Sequence, residues 1–94
     1  MPQVDCFFVY ILVSIDAGGR HLTYVGWTLD PERRLAQHNA GTGARSTRGR
    51  AWALLHIERL PSKREAMSRE WHLKRDRKLR KRLVESSLRH RRVG

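Results

Sequence analysis

Two apolar runs joined by a glycine-bearing turn constrain this chain more than any other feature. Cys6–Val13, CFFVYILV, is continuously apolar and rich in Phe, Val and Ile, the pattern of a strand covered on both faces. Asp16-Ala17-Gly18-Gly19 is a turn cluster, and His21–Trp27 returns with Leu, Thr, Tyr and Val as a second strand. The rest of the chain must therefore cover an antiparallel hairpin. Each strand carries a tyrosine near its middle, Tyr10 and Tyr24. Opposed residues in such a pair have position numbers of constant sum and point to the same face. An even sum puts both phenols on one face and an odd sum parts them, and the sequence leaves that register open.

The next elements follow from their caps. Asp30 suits an N-cap, Pro31 the first helical position, Glu32 the positive end of the dipole, and Gly41 a left-handed close, so a helix is expected over Pro31–Ala40. Gly41–Arg50 is a loop with three arginines and three hydroxyls, and Ala51–Leu60 is apolar enough for a third strand, stopped by Pro61. Ser62-Lys63-Arg64-Glu65 is a capping box that starts a second helix at Lys63, running to about Arg75. Asp76 caps a further helix with Leu79 and Leu83 on one side. The expected fold is a small α+β domain, a three-stranded antiparallel sheet flanked by helices in the order β-β-α-β-α-α. One domain is expected over 1–94, its core at about 6–83 and a basic C-terminal tail at 84–94.

Charge narrows the partner. Twenty Lys and Arg against nine Asp and Glu give a formal net charge of +11, which biases the chain toward a polyanion. Lys74–Gly94 concentrates ten basic residues against two acids. That block is either a solvated surface or a set of phosphate contacts. Cys6 is the only cysteine, so no internal disulfide can form, in keeping with a reducing compartment. Residues 1–5 show no basic stretch ahead of an apolar one, and Cys6–Val13 is too short to span a bilayer. A cytoplasmic, membrane-free location is the expectation.

Five residues make a kit for phosphodiester hydrolysis. Tyr10 and Tyr24 offer phenols, Arg34 and His38 neighbour each other at i,i+4, and Glu70 interrupts the otherwise apolar stripe of Ala66 and Leu73. A carboxylate can hold a hard divalent metal, an arginine can neutralise phosphate charge, and a phenol or imidazole can handle the proton of a water. Each has a plainer alternative. Tyrosines pack in cores with a satisfied hydroxyl, Arg34 and His38 suit a solvated helix face, and Glu70 can pair with Lys74.

Phe8-Val9-Tyr10 followed by Tyr24-Val25-Gly26 resembles the two halves of the GIY-YIG nuclease signature. The similarity continues through T-x-D-P-x-x-R-x-x-x-H-N, Thr28–Asn39, and R-E-A-x-x-x-E-W, Arg64–Trp71. It is closest in kind to the small single-domain bacterial proteins of that superfamily and is similar to the nuclease domain of structure-selective endonucleases. Phe8 stands where the motif has its first glycine, and Trp27 where some relatives carry a basic residue. The resemblance implies that the phenols share one cleft. It implies that Tyr10 positions or deprotonates the attacking water and Tyr24 holds the scissile phosphate. By the same resemblance Arg34 stabilises developing charge, His38 takes the proton passed through Tyr10, and Glu70 is the sole carboxylate ligand of Mg²⁺ or Mn²⁺. The expected activity is metal-dependent DNA endonuclease cleavage by one-metal in-line attack of water. The alternative is a basic nucleic-acid-binding module, for DNA or RNA, that cuts weakly or not at all. Arg45, Thr47, Arg48 and Arg50 in the loop, with Lys74, Arg75 and Lys78 in the block Lys74–Arg82, are the expected nucleic-acid contacts. A protein partner is a further expectation for substrate choice, and the oligomeric state is not legible.

Overall fold

A computed structural model describes residues 6–93, with side chains through residue 89. The amino-terminal segment read above for targeting signals lies outside the described residues, as does Gly94. The elements are β1 (Phe7–Ile15), β2 (His21–Thr28), α1 (Pro31–Ala40), β3 (Ala53–Leu60), α2 (Lys63–Arg75) and α3 (Arg77–Val93), with a 3₁₀ turn at Arg45–Thr47. The α+β order is the one read from the sequence. The sheet is antiparallel with strand order β2-β1-β3, so the most apolar run is its centre.

Local chemistry sets the joints. In the β1–β2 turn the Asp16 carboxylate accepts from the backbone N–H groups of Gly18 and Arg20, each at 3.0 Å, and Gly19 takes the left-handed backbone at φ 81°. Asp30 Oδ1 accepts from Arg33 N–H at 3.2 Å to start α1, and Gly41 at φ 80° ends it. Ser62 Oγ accepts from Glu65 N–H at 3.1 Å and donates to the Glu65 carboxylate at 3.0 Å, the reciprocal cap of α2. Asp76 Oδ1 accepts from Leu79 N–H at 3.0 Å at the start of α3.

The register decides which side chains meet. Tyr10 pairs with Gly26 and Leu12 with Tyr24, an even sum, so the two phenols occupy one face. On the other face Val9, Ile11 and Val25 pack with Ala66 and Leu73 of α2, and Leu79 and Leu83 of α3 close over them. The phenol face holds Tyr10, Leu12 and Trp52, with Tyr24 and Leu35 of α1 packed against them. α1 therefore covers one side of the sheet, while α2 and α3 cover the other.

Three features depart from the simple reading. β3 carries a bulge: Ile11 opposes His56, but Leu12 opposes Leu54, so Leu55 is an extra residue and packs into the helix-covered cluster. The segment expected as a tail from residue 84 continues α3 as helix, and Val84 is buried. Arg80, within the block read as phosphate-contacting, is instead turned inward. Its Nε donates to Thr23 Oγ1 at 3.0 Å, and its Nη1 to the carbonyls of Leu73 and Lys74 at 2.5 and 2.7 Å. It satisfies the end of α2 and ties it to β2. Among the described residues no helix is long and apolar enough to cross a membrane.

Candidate active site

Three rings converge on the phenol face. The His38 ring centroid lies 5.9 Å from that of Tyr10 and 4.8 Å from that of Tyr24, and the two tyrosine rings are 6.3 Å apart. Gly26, opposite Tyr10, makes this possible: a β-carbon there would sit 2.5 Å from the Tyr10 hydroxyl oxygen. Gly43 does the same for the histidine, since a β-carbon would lie 2.6 Å from His38 Nδ1. These two glycines are present because neighbouring rings fill their side-chain space.

Hydrogen-bond direction fixes the histidine tautomer. Thr47 Oγ1 contacts the Ala44 carbonyl at 2.8 Å, and a carbonyl can only accept, so the hydroxyl proton points there. The 2.8 Å contact between Thr47 Oγ1 and His38 Nδ1 must then be a bond donated by Nδ1–H. Nε2 is left with its lone pair and accepts from the Tyr10 hydroxyl at 2.9 Å. The order of donation runs Tyr10 to His38 to Thr47 to Ala44. His38 and Thr47 are both 0% exposed.

The environment holds both titratable rings neutral. Burial, with a smaller contribution from the Arg34 guanidinium, pushes the His38 imidazole below its ordinary range. Burial raises the Tyr10 phenol. The adjacent Arg34 works against that rise, while Tyr24 and the Glu70 carboxylate add to it. At neutral pH the site therefore holds a protonated phenol facing an unprotonated imidazole nitrogen. A stability consequence follows from the sign of the His38 shift. The unfolded chain binds this proton more readily, so stability is fully present above about pH 6.5 and is lost as pH falls toward and through the lower folded value. Thermal melts between pH 7.5 and about pH 5 should show wild type losing more stability than His38→Gln, and equal losses would deny the shift.

Thr47 corrects one expectation. Grouped with the phosphate-contacting arginines, it is instead fully buried behind His38, because its hydroxyl is the acceptor that this histidine requires. Its carbonyl is held in turn by Trp52 Nε1–H at 2.8 Å, and Asn39 brackets Trp52 through both backbone groups, at 2.6 and 3.1 Å. Thr47→Val should leave a buried Nδ1–H without an acceptor or flip the tautomer, turning an N–H toward the phenol. For a site that cuts phosphodiesters the rate should then fall by about 10–100-fold, the scale on which losing the partner that orients a metal-binding histidine acts. Thr47→Ser should recover most of it, and equal defects in both variants would show that the methyl group matters rather than the hydroxyl.

Of the other expected residues Arg34 adjoins the rings, whereas Glu70 stands on α2, the helix that covers the opposite face of the sheet, and reaches Tyr10 only through the field of its carboxylate. Arg34 is half-buried on α1, beside the Tyr10 phenol, with Nη1 donating to Gln37 Oε1 at 3.0 Å. Glu70 lies on α2 with its side chain 21% exposed, and its Oε1 is 3.1 Å from Lys74 Nζ. The preceding residue, Arg69, grips Glu58 of β3 with two bonds, at 2.7 and 2.9 Å, holding that carboxyl below its usual range and fastening α2 to the edge strand. Arg45 and Arg48 are exposed in the loop behind α1 and Arg50 is half-buried. Lys74, Arg75 and Lys78 are exposed, but the Arg75 guanidinium lies 3.6 Å over the Trp71 ring. Sequence reasoning missed Asn39, Gly43 and Trp52 as supports, although Asn39 lies in the quoted His-Asn pair.

The GIY-YIG catalytic domain model matches residues 6–83. A UPF0213 protein of Halobacterium salinarum is 54% identical over 52 residues, 54% of this chain and 68% of that protein. One from Natronomonas pharaonis is 46% identical over 68 residues, 71% of this chain and 75% of that protein. The solution NMR structure of a UPF0213 protein from Bacillus halodurans is 36% identical, covering 85% of this chain and 83% of that one with a TM-score of 0.46. With the matched region spanning both tyrosines, Arg34, His38 and Glu70, the chain belongs to the GIY-YIG catalytic domain family.

Proposed function

We propose that this protein is a metal-dependent DNA endonuclease that hydrolyses phosphodiester bonds by in-line attack of water. The observation that carries the reading is the directed bond from the Tyr10 hydroxyl to an unprotonated His38 Nε2, set beside Arg34. A phenol whose pKa is raised is a poor base alone. Coupled to His38 it becomes a relay: as water attacks phosphorus and the P–O bond opposite breaks, the water's proton passes to the Tyr10 oxygen, the phenolic proton passes to Nε2, and the departing oxygen takes a proton from solvent. His38 ends as an imidazolium, still donating Nδ1–H to Thr47. Arg34 counters the charge growing on the non-bridging oxygens, and the Tyr24 hydroxyl positions the phosphate.

Among the described residues no group of three or more His, Cys, Asp or Glu side chains could enclose a metal ion. One half-buried carboxylate, Glu70, suits Mg²⁺ or Mn²⁺ bound largely through water, with the phosphate completing the set. Bound there, such an ion would supply Lewis-acid stabilisation of phosphate charge. The test is a panel of plasmid, single-stranded, flapped and branched DNAs with Mg²⁺, Mn²⁺ or EDTA. Cleavage of at least one substrate, abolished by EDTA, is expected. Cleavage that survives EDTA, or none on any substrate, would sink the reading.

The rival reading, a basic module that binds without cutting, is favoured by one observation: Lys74 already occupies Glu70. Both readings need backbone contacts. Arg45, Arg48, Arg50, Lys74 and Lys78 should supply them, with Arg75 a weaker candidate because Trp71 holds its guanidinium. Replacing any of the first five should flatten the slope of log affinity against log salt by about 0.9 on duplex DNA, with little change in sequence preference. An unchanged slope after three replacements would mean these charges are merely solvated.

A further inference from the structure

A cleft of about 400 Å³ opens where β2 passes into α1, and its lining includes Trp27, Leu29, Arg33, Arg34 and Gln37. Leu29 is 59% exposed, the most exposed of the large apolar side chains among the described residues, while Trp27 beside it is half-buried, its ring packed 6.2 Å from that of Phe7 and 5.6 Å under Lys63 Nζ on the α2 side of the sheet. Two guanidiniums face one acid in the lining, Asp30, whose Oδ1 accepts from the backbone at the start of α1. Gln37 is oriented as well. Arg34 can only donate, so the amide atom 3.0 Å from its Nη1 is oxygen, and Nε2 is the donor end. An apolar wall, two cations and an amide donor suit a ligand that is anionic at one end and flat with acceptor edges at the other. The volume lies in the range that holds one small ligand unit.

Arg34 links this cleft to the rings, since it borders the Tyr10 phenol as well. A phosphate held by Arg34 would bring its adjoining nucleotide to the mouth of the cleft. The geometry points to this cleft as a subsite for one unpaired DNA nucleotide next to that phosphate, its base against exposed Leu29 and an acceptor edge on Gln37 Nε2. The nucleotide must be unpaired because a stacked, paired base has no face left for an apolar wall. Arg33, exposed at the rim, meets the next phosphate. This assignment rests on the nuclease reading only for the place of the phosphate on Arg34.

The test uses forked DNA, whose junction fixes the register, with single abasic replacements scanned through the unpaired nucleotides. Affinity is read by fluorescence anisotropy in EDTA. One abasic position should weaken wild-type binding by about five- to twentyfold. Leu29→Ser should weaken binding of the intact fork by a similar factor and become indifferent to the base at that position. The exposed site makes this variant safe for folding, which a thermal melt would verify. Uniform tolerance of abasic sites by wild type, or a Leu29→Ser variant that keeps the abasic response, would overturn the subsite. A response seen only with a ribose strand would overturn the DNA assignment. Because the readout is binding, a protein that never cuts would defeat the nuclease reading while leaving a positive scan intact. Cleavage with a flat scan would do the reverse.

Discussion

Tyr10→Phe is expected to slow single-turnover cleavage by about 10²–10⁴-fold, the range for losing general acid–base help, while costing only about 0.5–1.5 kcal/mol of stability. The substitution keeps the ring that packs with Leu12 and Trp52, so the buried apolar area is almost unchanged. What disappears is the hydroxyl that donates to His38 Nε2, leaving the imidazole with a lone pair and no path from the water. If Tyr10 were ordinary core, the stability cost would be the same and the rate would not move. His38→Ala should lower the rate in the same direction, and combining the two should cost far less than the sum, because the pair works as one relay. Tyr24→Phe should be milder, since its ring packs on His38 at 4.8 Å and a positioning hydroxyl can be partly replaced by water. A wild-type rate in Tyr10→Phe would remove the relay and leave the binding-module reading.

Caps and periodicity made most of this architecture legible. Asp30, Pro31 and Gly41 bound α1 at both ends, and Ser62 with Glu65 starts α2, because these residues satisfy backbone groups a helix end leaves open. The register was not legible, since either parity suits an apolar strand buried on both faces. The space at Gly26 is filled by the Tyr10 ring, a contact visible only once the strands are paired. The bulge at Leu55 was hidden for a related reason: ALLHIERL is apolar enough in either phase. Thr47 was misplaced because a hydroxyl among three arginines suggests a phosphate contact, while its real partner, His38, lies nine residues upstream across a turn. The continuation of α3 beyond residue 83 was read as a basic tail because charge pattern outweighed the apolar signal of Val84. The elements that carry the five residues of the kit were legible because each is a capped helix or a strand of the central hairpin, while the roles given to those residues came from the resemblance alone.

Glu70→Ala is expected to remove cleavage by about 10³-fold or more, as fits the loss of several kcal/mol of charge stabilisation, with fold and DNA affinity retained. Alanine is the best helix former, so α2 should tolerate the change. The competing account is the visible ion pair: Glu70 and Lys74 at 3.1 Å and i,i+4 make a surface bridge that contributes about 0.3–0.5 kcal/mol and nothing else. The two accounts diverge on Lys74. If Glu70 only props up the helix, Lys74→Ala and Glu70→Ala should have equally small effects. If its carboxylate is the metal ligand, Lys74 competes for the same oxygen. Lys74→Ala should then lower the Mg²⁺ concentration for half-maximal cleavage, even as it weakens DNA binding through a lost phosphate contact. Glu70→Gln, which keeps the shape and loses the charge, should raise that concentration steeply. Titrating Mg²⁺ against the three variants at fixed ionic strength reads this directly. Identical half-saturation in wild type, Lys74→Ala and Glu70→Gln would strip Glu70 of any role beyond the helix surface.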